Sequence, residues 1–485
     1  MFEKLKELSK DTAVYGISTI LGRFLSFLLV PFYTNVFTTA EYGIFTYLYT
    51  ILAFMNIVYI YGMDVAFLKY GSLAEERNQK DYFSTPYLMV FFTSLIATVI
   101  LYFNKDSLNI FLDIPASYSS LIVYLILILF FDTLSLIPFA NLRLKRKSGK
   151  FAAIKIVNIL INLALNLILI LKYHYGIEAV FISNLVASVF SFIALLPEIL
   201  KLLVLRIDKR IFRQMLKFGI PYLPASIAAM MVQMIDVPIL RELTNDSTVG
   251  IYRANYKLGI FMMLFVSMFQ YAWQPFFLNN AREENAKELF SKVLTFFVVA
   301  ASIIWAFVTL FIKDLASIEI LHGRTLIGKE FLSGIYIVPV VLLAYLFYGM
   351  YVNFTAGIYI EEKTKYMPYI TGAGALVNVG MNFWLIPLWG YWGAALATLA
   401  SYLVMAGGLF ITVQKFYKIH YEYEKIFLNL LLIGITMFFY FWLARKGKLS
   451  LEFELLLFMA FVVSIFLFKI VEPREVKRLL KNYGK

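Results

Sequence analysis

The sequence contains no cysteine and only three histidines among its 485 residues. Disulfide staples, thiolate metal sites and thiol nucleophiles are therefore excluded. His174, His322 and His420 each fall in an expected loop, so neither a histidine metal cluster nor an intramembrane imidazole relay is available. Charge is scarce as well. Only 15% of residues are charged and 61% are hydrophobic, against about 45–50% apolar in soluble domains. That excess requires lipid as solvent. Connecting loops are short, none longer than about 20 residues, which leaves no room for a folded domain outside the bilayer. A polymerase with a large external loop and a transferase with a cytosolic acidic metal site both lose ground on this account.

What is present is a succession of apolar runs of bilayer length, about fourteen in all, which predicts an all-α integral membrane protein. They begin with Thr12–Phe37 and Tyr42–Leu68 and end with Ile426–Ala444 and Leu451–Ile470. The first run is too long for a signal-peptide core and is read as a retained helix. With the N-terminus inside, 31 of the 44 Lys and Arg fall on the cytoplasmic side, nine outside and four within spans. This bias predicts that both termini are cytoplasmic, and it accounts for the net charge of +13 without a nucleic-acid partner.

The two halves resemble each other in register. Pro31–Tyr49 parallels Val237–Tyr256, with Gly43 matching Gly250, and Val157–Ile170 parallels Ala375–Pro387, with Asn162 and Asn166 matching Asn378 and Asn382. A six-span repeat returns the chain to the face it started from, so two six-helix lobes follow. The expected division is an N-lobe at 1–205, a cytoplasmic amphipathic linker at 206–217, a C-lobe at 218–418, and a C-terminal helix pair with a cytoplasmic tail at 419–485. In the linker, Ile207, Ile211, Phe212, Met215 and Leu216 share one face and Lys209, Arg210, Arg213 and Lys217 crowd the others.

A charged side chain at mid-bilayer costs about 2.5–3.5 kcal/mol on insertion scales, so each one calls for a reason. Arg23 lies deep in the first span, and Arg253 and Lys257 stand at i and i+4 on the eighth. These three cations are the candidates for holding an anionic substrate group, since Arg meets a phosphate bidentately and Lys meets it as a point charge. Asp132 near mid-depth, with Asp64 and Asp236 nearer span ends, could couple Na⁺ or H⁺, or serve as counter-ions to the buried cations. Lys155, close to a span start, is read as snorkelling. The Asn158/Asn162/Asn166 stripe and the Gly393/Ala397/Ser401 face are read as interhelical packing.

The stretches LLVPFYTNVFTTAEYG (Leu28–Gly43), STVGIYRANYKLG (Ser247–Gly259) and VNVGMNFWLIPLWGYWGAALATLAS (Val377–Ser401) resemble the polysaccharide-transporter branch of the multidrug/oligosaccharidyl-lipid/polysaccharide superfamily. The resemblance implies a Wzx-type flippase in a bacterial inner membrane. Its partner would be an undecaprenyl-pyrophosphate-linked oligosaccharide of O-antigen or capsule type, carried by alternating access beside membrane lipids and polymerase machinery. It implies no enzyme activity and no cofactor, with Na⁺ or H⁺ coupling open. Two other readings stay open, a peptidoglycan lipid-precursor flippase and a cation-coupled multidrug exporter. The extra C-terminal helix pair favours the lipid-linked branch over the twelve-helix extruders.

Overall fold

The computed structural model describes residues 22, 24, 25, 27–321 and 324–470. Arg23, His322, the first ten residues of the first expected span and the basic tail beyond Ile470 lie outside the described residues.

The chain divides into two compact units, Met1–Arg241 with Asn245–Gly250, and Glu242–Thr244 with Ile251–Lys485. Unit 1 holds α1 (Leu29–Thr34), α2 (Thr39–Ile60), α3 (Met63–Leu73), α4 (Gln79–Phe103), α5 (Lys105–Phe111), α6 (Ser120–Leu144), α7 (Ser148–Leu171), α8 (Glu178–Leu202), α9 (Lys209–Met234) and all but the last two residues of α10 (Asp236–Leu243). Helix α11 (Asp246–Tyr256) begins in unit 1 and ends in unit 2. Unit 2 continues with α12 (Ile260–Asn280), α13 (Ala286–Ser317), a short hairpin of β1 (Glu319–Leu321) and β2 (Arg324–Thr325), α14 (Val338–Ile360), α15 (Met367–Trp389), α16 (Tyr391–Phe416), α17 (Tyr423–Arg445) and α18 (Leu451–Leu467).

Twelve helical stretches among the described residues are long and apolar enough to cross a bilayer. The two expected spans not among them are the first, whose opening residues lie outside the described ones, and the last, which at 17 residues is short. The burial pattern fits lipid as solvent. Asn166, Asn378, Asn382 and Ser401 are buried, while Phe103, Leu376, Phe427 and Phe438 are exposed.

Local chemistry sets the helix ends. Thr38 and Glu41 form a capping box at the start of α2, in which the Thr38 amide donates to the Glu41 carboxylate at 2.9 Å and the Glu41 amide donates back to the Thr38 hydroxyl at 3.3 Å. The run expected as one span, Tyr42–Leu68, is two helices. Tyr61 and Gly62 take left-handed φ angles of 35° and 76° and break it, because the Gly62 backbone lies against Gly219 of α9, where a Cβ would come within 2.5 Å of the Gly219 carbonyl oxygen.

The segment expected as a separate amphipathic linker is the first turns of α9 and runs on without interruption to Met234. Its apolar face packs inside the protein. Ile211 and Met215 join Phe67, Phe83, Tyr87, Leu142 and Ile199 in the core where α3, α4, α6, α8 and α9 meet. Asp208 caps this helix by accepting from the Arg210 and Ile211 amides at 2.7 and 3.1 Å. Because α9 packs on α2, α3 and α4, unit 1 runs past the boundary expected at residue 205.

In unit 2, tryptophans fix the core. The Trp305 indole donates to the Pro339 carbonyl at 2.9 Å, and the Trp273 indole donates to the Asn353 carbonyl at 3.1 Å.

Candidate functional site

Unit 1 carries a polar group within its membrane helices. Asp132 sits midway along α6, accepts a hydrogen bond from Ser188 of α8 and faces the charge of Lys155 on α7. The Lys155 ammonium also lies 4.3 Å from the centre of the Phe139 ring. Tyr49 of α2 faces Asp132 and is hydrogen-bonded to Asn184. Lys155 is seven residues into its helix, about 10 Å along the axis; it is exposed, and Asp132 feels its charge without forming an ion pair with it among the described residues.

The asparagine stripe works as packing. Asn158 donates to the Ala187 carbonyl at 2.7 Å and to the Ser191 hydroxyl at 2.9 Å, tying α7 to α8. Asn166 donates to the Asn162 carbonyl and side-chain oxygens at 2.8 and 3.1 Å, and accepts from the Tyr33 hydroxyl at 2.8 Å. Unit 2 repeats this ladder, with Asn382 donating to the Asn378 carbonyl and side-chain oxygens at 2.8 and 2.7 Å. On α16, Gly393 and Ser401 form the close-packed face. A Cβ on Gly393 would meet the Leu385 backbone at 2.4 Å, and the Ser401 hydroxyl donates to the Gly374 carbonyl at 2.8 Å.

In unit 2, Arg253 and Lys257 are brought together. Helix α11 gives way to a 3₁₀ turn at Lys257–Gly259 before α12 begins. Gly259 permits the turn to lie close to α14, since a Cβ there would stand 2.7 Å from Val341 and 3.3 Å from the Tyr345 ring. Arg253 is buried with its guanidinium 5.1 Å from the centre of the Tyr256 ring, and Lys257, half-buried, feels its charge. From this point a row of tyrosines extends through the unit. Ring centres are 5.5 Å apart for Tyr252 and Tyr256, 6.1 Å for Tyr256 and Tyr345, 6.1 Å for Tyr345 and Tyr402, and 5.1 Å for Tyr348 and Tyr402. Hydroxyls and ring faces beside two cations are suited to a substrate that joins sugar to phosphate. Tyrosine is ordinarily an interfacial residue, and this row across α11, α14 and α16 has no local signature in the sequence.

The other candidate carboxylates belong to unit 1. Asp236 is buried at the start of α10, accepting from the Val237 amide at 3.0 Å. Asp64 lies in the first turn of α3, where the helix terminus favours negative charge, and it feels the charge of Arg143.

One arginine escaped the sequence reading. Arg241, outside the apolar spans, donates to the Leu112 and Asp113 carbonyls at 2.7 and 2.6 Å and pairs with Asp246 at 2.5 Å, with its guanidinium 4.4 Å from the Tyr47 ring centre. Burial works against its charge, but the hydrogen bond and the charge of Asp246 outweigh it and hold the group above its ordinary pKa. Asp113 has a left-handed φ of 50°, which turns its carbonyl into this network.

Helices of this number and order, with buried polar groups in both units, define a multi-pass helical membrane fold. Solved structures agree on the fold. The Lipid II flippase MurJ in an inward closed conformation is 16% identical with a TM-score of 0.73, covering 95% of this chain and 100% of that one. A MATE transporter from Vibrio cholerae, VcmN in its bent form, gives 12% and 0.56 over 84% and 97%. A MOP superfamily transporter from Pyrococcus furiosus gives 13% and 0.56 over 84% and 95%. No curated protein sequence matches the chain. Residues 8–281, more than half of the 485, match the family described as "Polysaccharide biosynthesis protein", and the chain belongs to that family.

Proposed function

We propose that this protein is a flippase that carries an undecaprenyl-pyrophosphate-linked oligosaccharide repeat unit, of O-antigen or capsule type, from the inner to the outer leaflet of a bacterial inner membrane by alternating access. The observation that carries the reading is the pair Arg253 and Lys257 set at the head of the tyrosine row in unit 2. A diphosphate brings about two negative charges and many acceptor oxygens to such a place, and sugars stack on and hydrogen-bond to phenols. Arg23 is the third cation of the proposal. An inside-negative potential favours the outward step, by about 2.3 kcal/mol per charge per 100 mV.

A second reading, a flippase for a peptidoglycan lipid precursor, draws on the overlap with the whole of MurJ. Both substrates present a polyprenyl diphosphate joined to sugar, so the same cations serve either.

Proteoliposomes with fluorescent lipid-linked substrate test the proposal. Lys257→Ala and Arg253→Ala are expected to abolish transport of the lipid-linked oligosaccharide while the protein still inserts and folds. Lipid II transported in its place would establish the second reading. Transport of a cationic dye with neither lipid carried would overturn both.

A further inference from the structure

We infer that the cavity at the common end of α3, α4, α6 and α8 in unit 1 binds the head group of an anionic phospholipid, a phosphodiester that carries a free hydroxyl. The cavity holds about 340 Å³, at the small end of the roughly 300–1,000 Å³ of ligand pockets. Lys145, Asn141, Ser72 and Gln79 line it together with the apolar Phe67 and Leu202. Three spans start or stop there, α4 at Gln79, α6 at Leu144 and α8 at Leu202. That puts the cavity at the level where a bilayer changes from acyl chains to head groups.

The polar lining is unspent. The Asn141 side-chain nitrogen is buried without a hydrogen-bond partner among the described residues, on a residue that is 2% exposed. Such an orphan donor beside a cavity asks for an acceptor from outside the chain. Lys145 stands four residues on, over the same face, and forms no ion pair among the described residues. Its neighbours are committed elsewhere, since Lys147 and Lys150 both bind Glu198, at 2.7 and 3.1 Å.

The sign of the ligand follows from which groups are open. The helix-end carbonyls that would suit a cation are taken. Those of Asn141, Leu142 and Arg143 accept from the Lys145, Lys147 and Arg146 amides at 2.9, 2.8 and 3.1 Å, and that of Leu202 accepts from the Ser84 hydroxyl at 3.0 Å. The Lys145 ammonium and the Asn141 amide remain as donors, and they suit the two free oxygens of a phosphodiester. Ser72 spends its proton on the Lys69 carbonyl at 2.7 Å, so its oxygen can only accept, which suits a hydroxyl on the ligand. One cation balances one phosphodiester charge. On the expected orientation this end is cytoplasmic, where basic pockets between membrane helices take anionic lipid. The site shares no residue with Arg253 and Lys257 and does not depend on what they carry.

Native mass spectrometry of the delipidated full-length protein, supplied with equal amounts of phosphatidylglycerol and phosphatidylcholine, tests the assignment. One phosphatidylglycerol is expected to be retained in preference to phosphatidylcholine. Lys145→Gln, at an exposed position that tolerates the change, and Asn141→Leu are each expected to weaken that retention by about tenfold, the loss of one hydrogen bond to a charged group. Lys209→Gln removes an exposed cation outside the cavity and should retain the lipid as wild type does. Inorganic phosphate is expected not to compete, having no glycerol to lay against Phe67 and Leu202. Equal retention of the two lipids, wild-type retention in Lys145→Gln, or an equal loss in Lys209→Gln would each overturn the site. Displacement of the lipid by inorganic phosphate would overturn the lipid as its ligand.

Discussion

Gly43 and Gly250 make the same contact on each other's helix. A Cβ on Gly43 would fall 1.9 Å from the Asp246 carbonyl oxygen, and one on Gly250 would fall 1.9 Å from the Thr39 carbonyl oxygen. Each glycine sits four residues after the carbonyl that the other approaches, so the crossing of α2 and α11 is reciprocal. The two positions are also the ones that the internal repeat aligns. Backbone against backbone leaves no slack for a side chain. Gly43→Ala and Gly250→Ala are each expected to destabilise by about 1–3 kcal/mol, the range for overpacking. Thermal melting followed by size-exclusion in detergent measures this. Gly380→Ala, at a helical site with open space around it, is the control and should be neutral or slightly stabilising.

Arg241 binds the turn at Leu112–Asp113 through two carbonyls and one planar group. Lysine keeps the charge but reaches one oxygen at a time. Arg241→Lys is therefore expected to speed hydrogen exchange at residues 112–114 without lowering the global melting temperature by more than a few degrees. Equal protection in the two proteins would show that the turn holds itself.

Asp132 and Lys155 are expected to be coupled in stability. Asp132 feels the Lys155 charge without an ion pair and Lys155 is exposed, so the coupling is small. Asp132→Asn and Lys155→Met should each destabilise by about 1 kcal/mol or less, with the double variant short of the sum. Additive losses in the double-mutant cycle would mean that the two charges act independently. On the proposed function, Asp132→Asn is expected to slow multiple turnover in proteoliposomes more than a single flip.

Asp208 gives the start of α9 a dependence on acidity. Hydrogen bonds from the Ile211 and Arg210 amides, in that order of effect, hold its carboxyl below the ordinary value of 3.8. A depressed acid stabilises the fold above its unfolded pKa, and that stabilisation is lost as pH falls through the folded value. Amide protection at Ile211 and Phe212 should accordingly fade only below about pH 4. Asp208→Asn, which keeps the cap and cannot titrate, should remove the dependence.

Much of the fold was legible in the sequence because the bilayer imposes a single length and a single polarity on each span. Turns and register were less so. The break at Tyr61–Gly62 is invisible as hydropathy, since Tyr42–Leu68 is apolar throughout, and it follows from Gly219 arriving on a helix far along the chain. The basic, amphipathic start of α9 was legible as amphipathic, but not which medium covers its apolar face. Of the candidate residues, the closeness of Arg253 and Lys257 was readable from their spacing alone. The tyrosine row depends on helices brought together by packing, and no local pattern announces it.

The asparagine ladders constrain how this sequence drifts. In both units the second asparagine bonds the first, and in unit 1 it also receives the Tyr33 hydroxyl, so replacing Asn166 alone strands a phenol among apolar helices. Such a pair changes in concert or stays. Asn162/Asn166 and Asn378/Asn382 thereby mark corresponding places in the two stretches, together with Leu169–Ile170 and Leu385–Ile386.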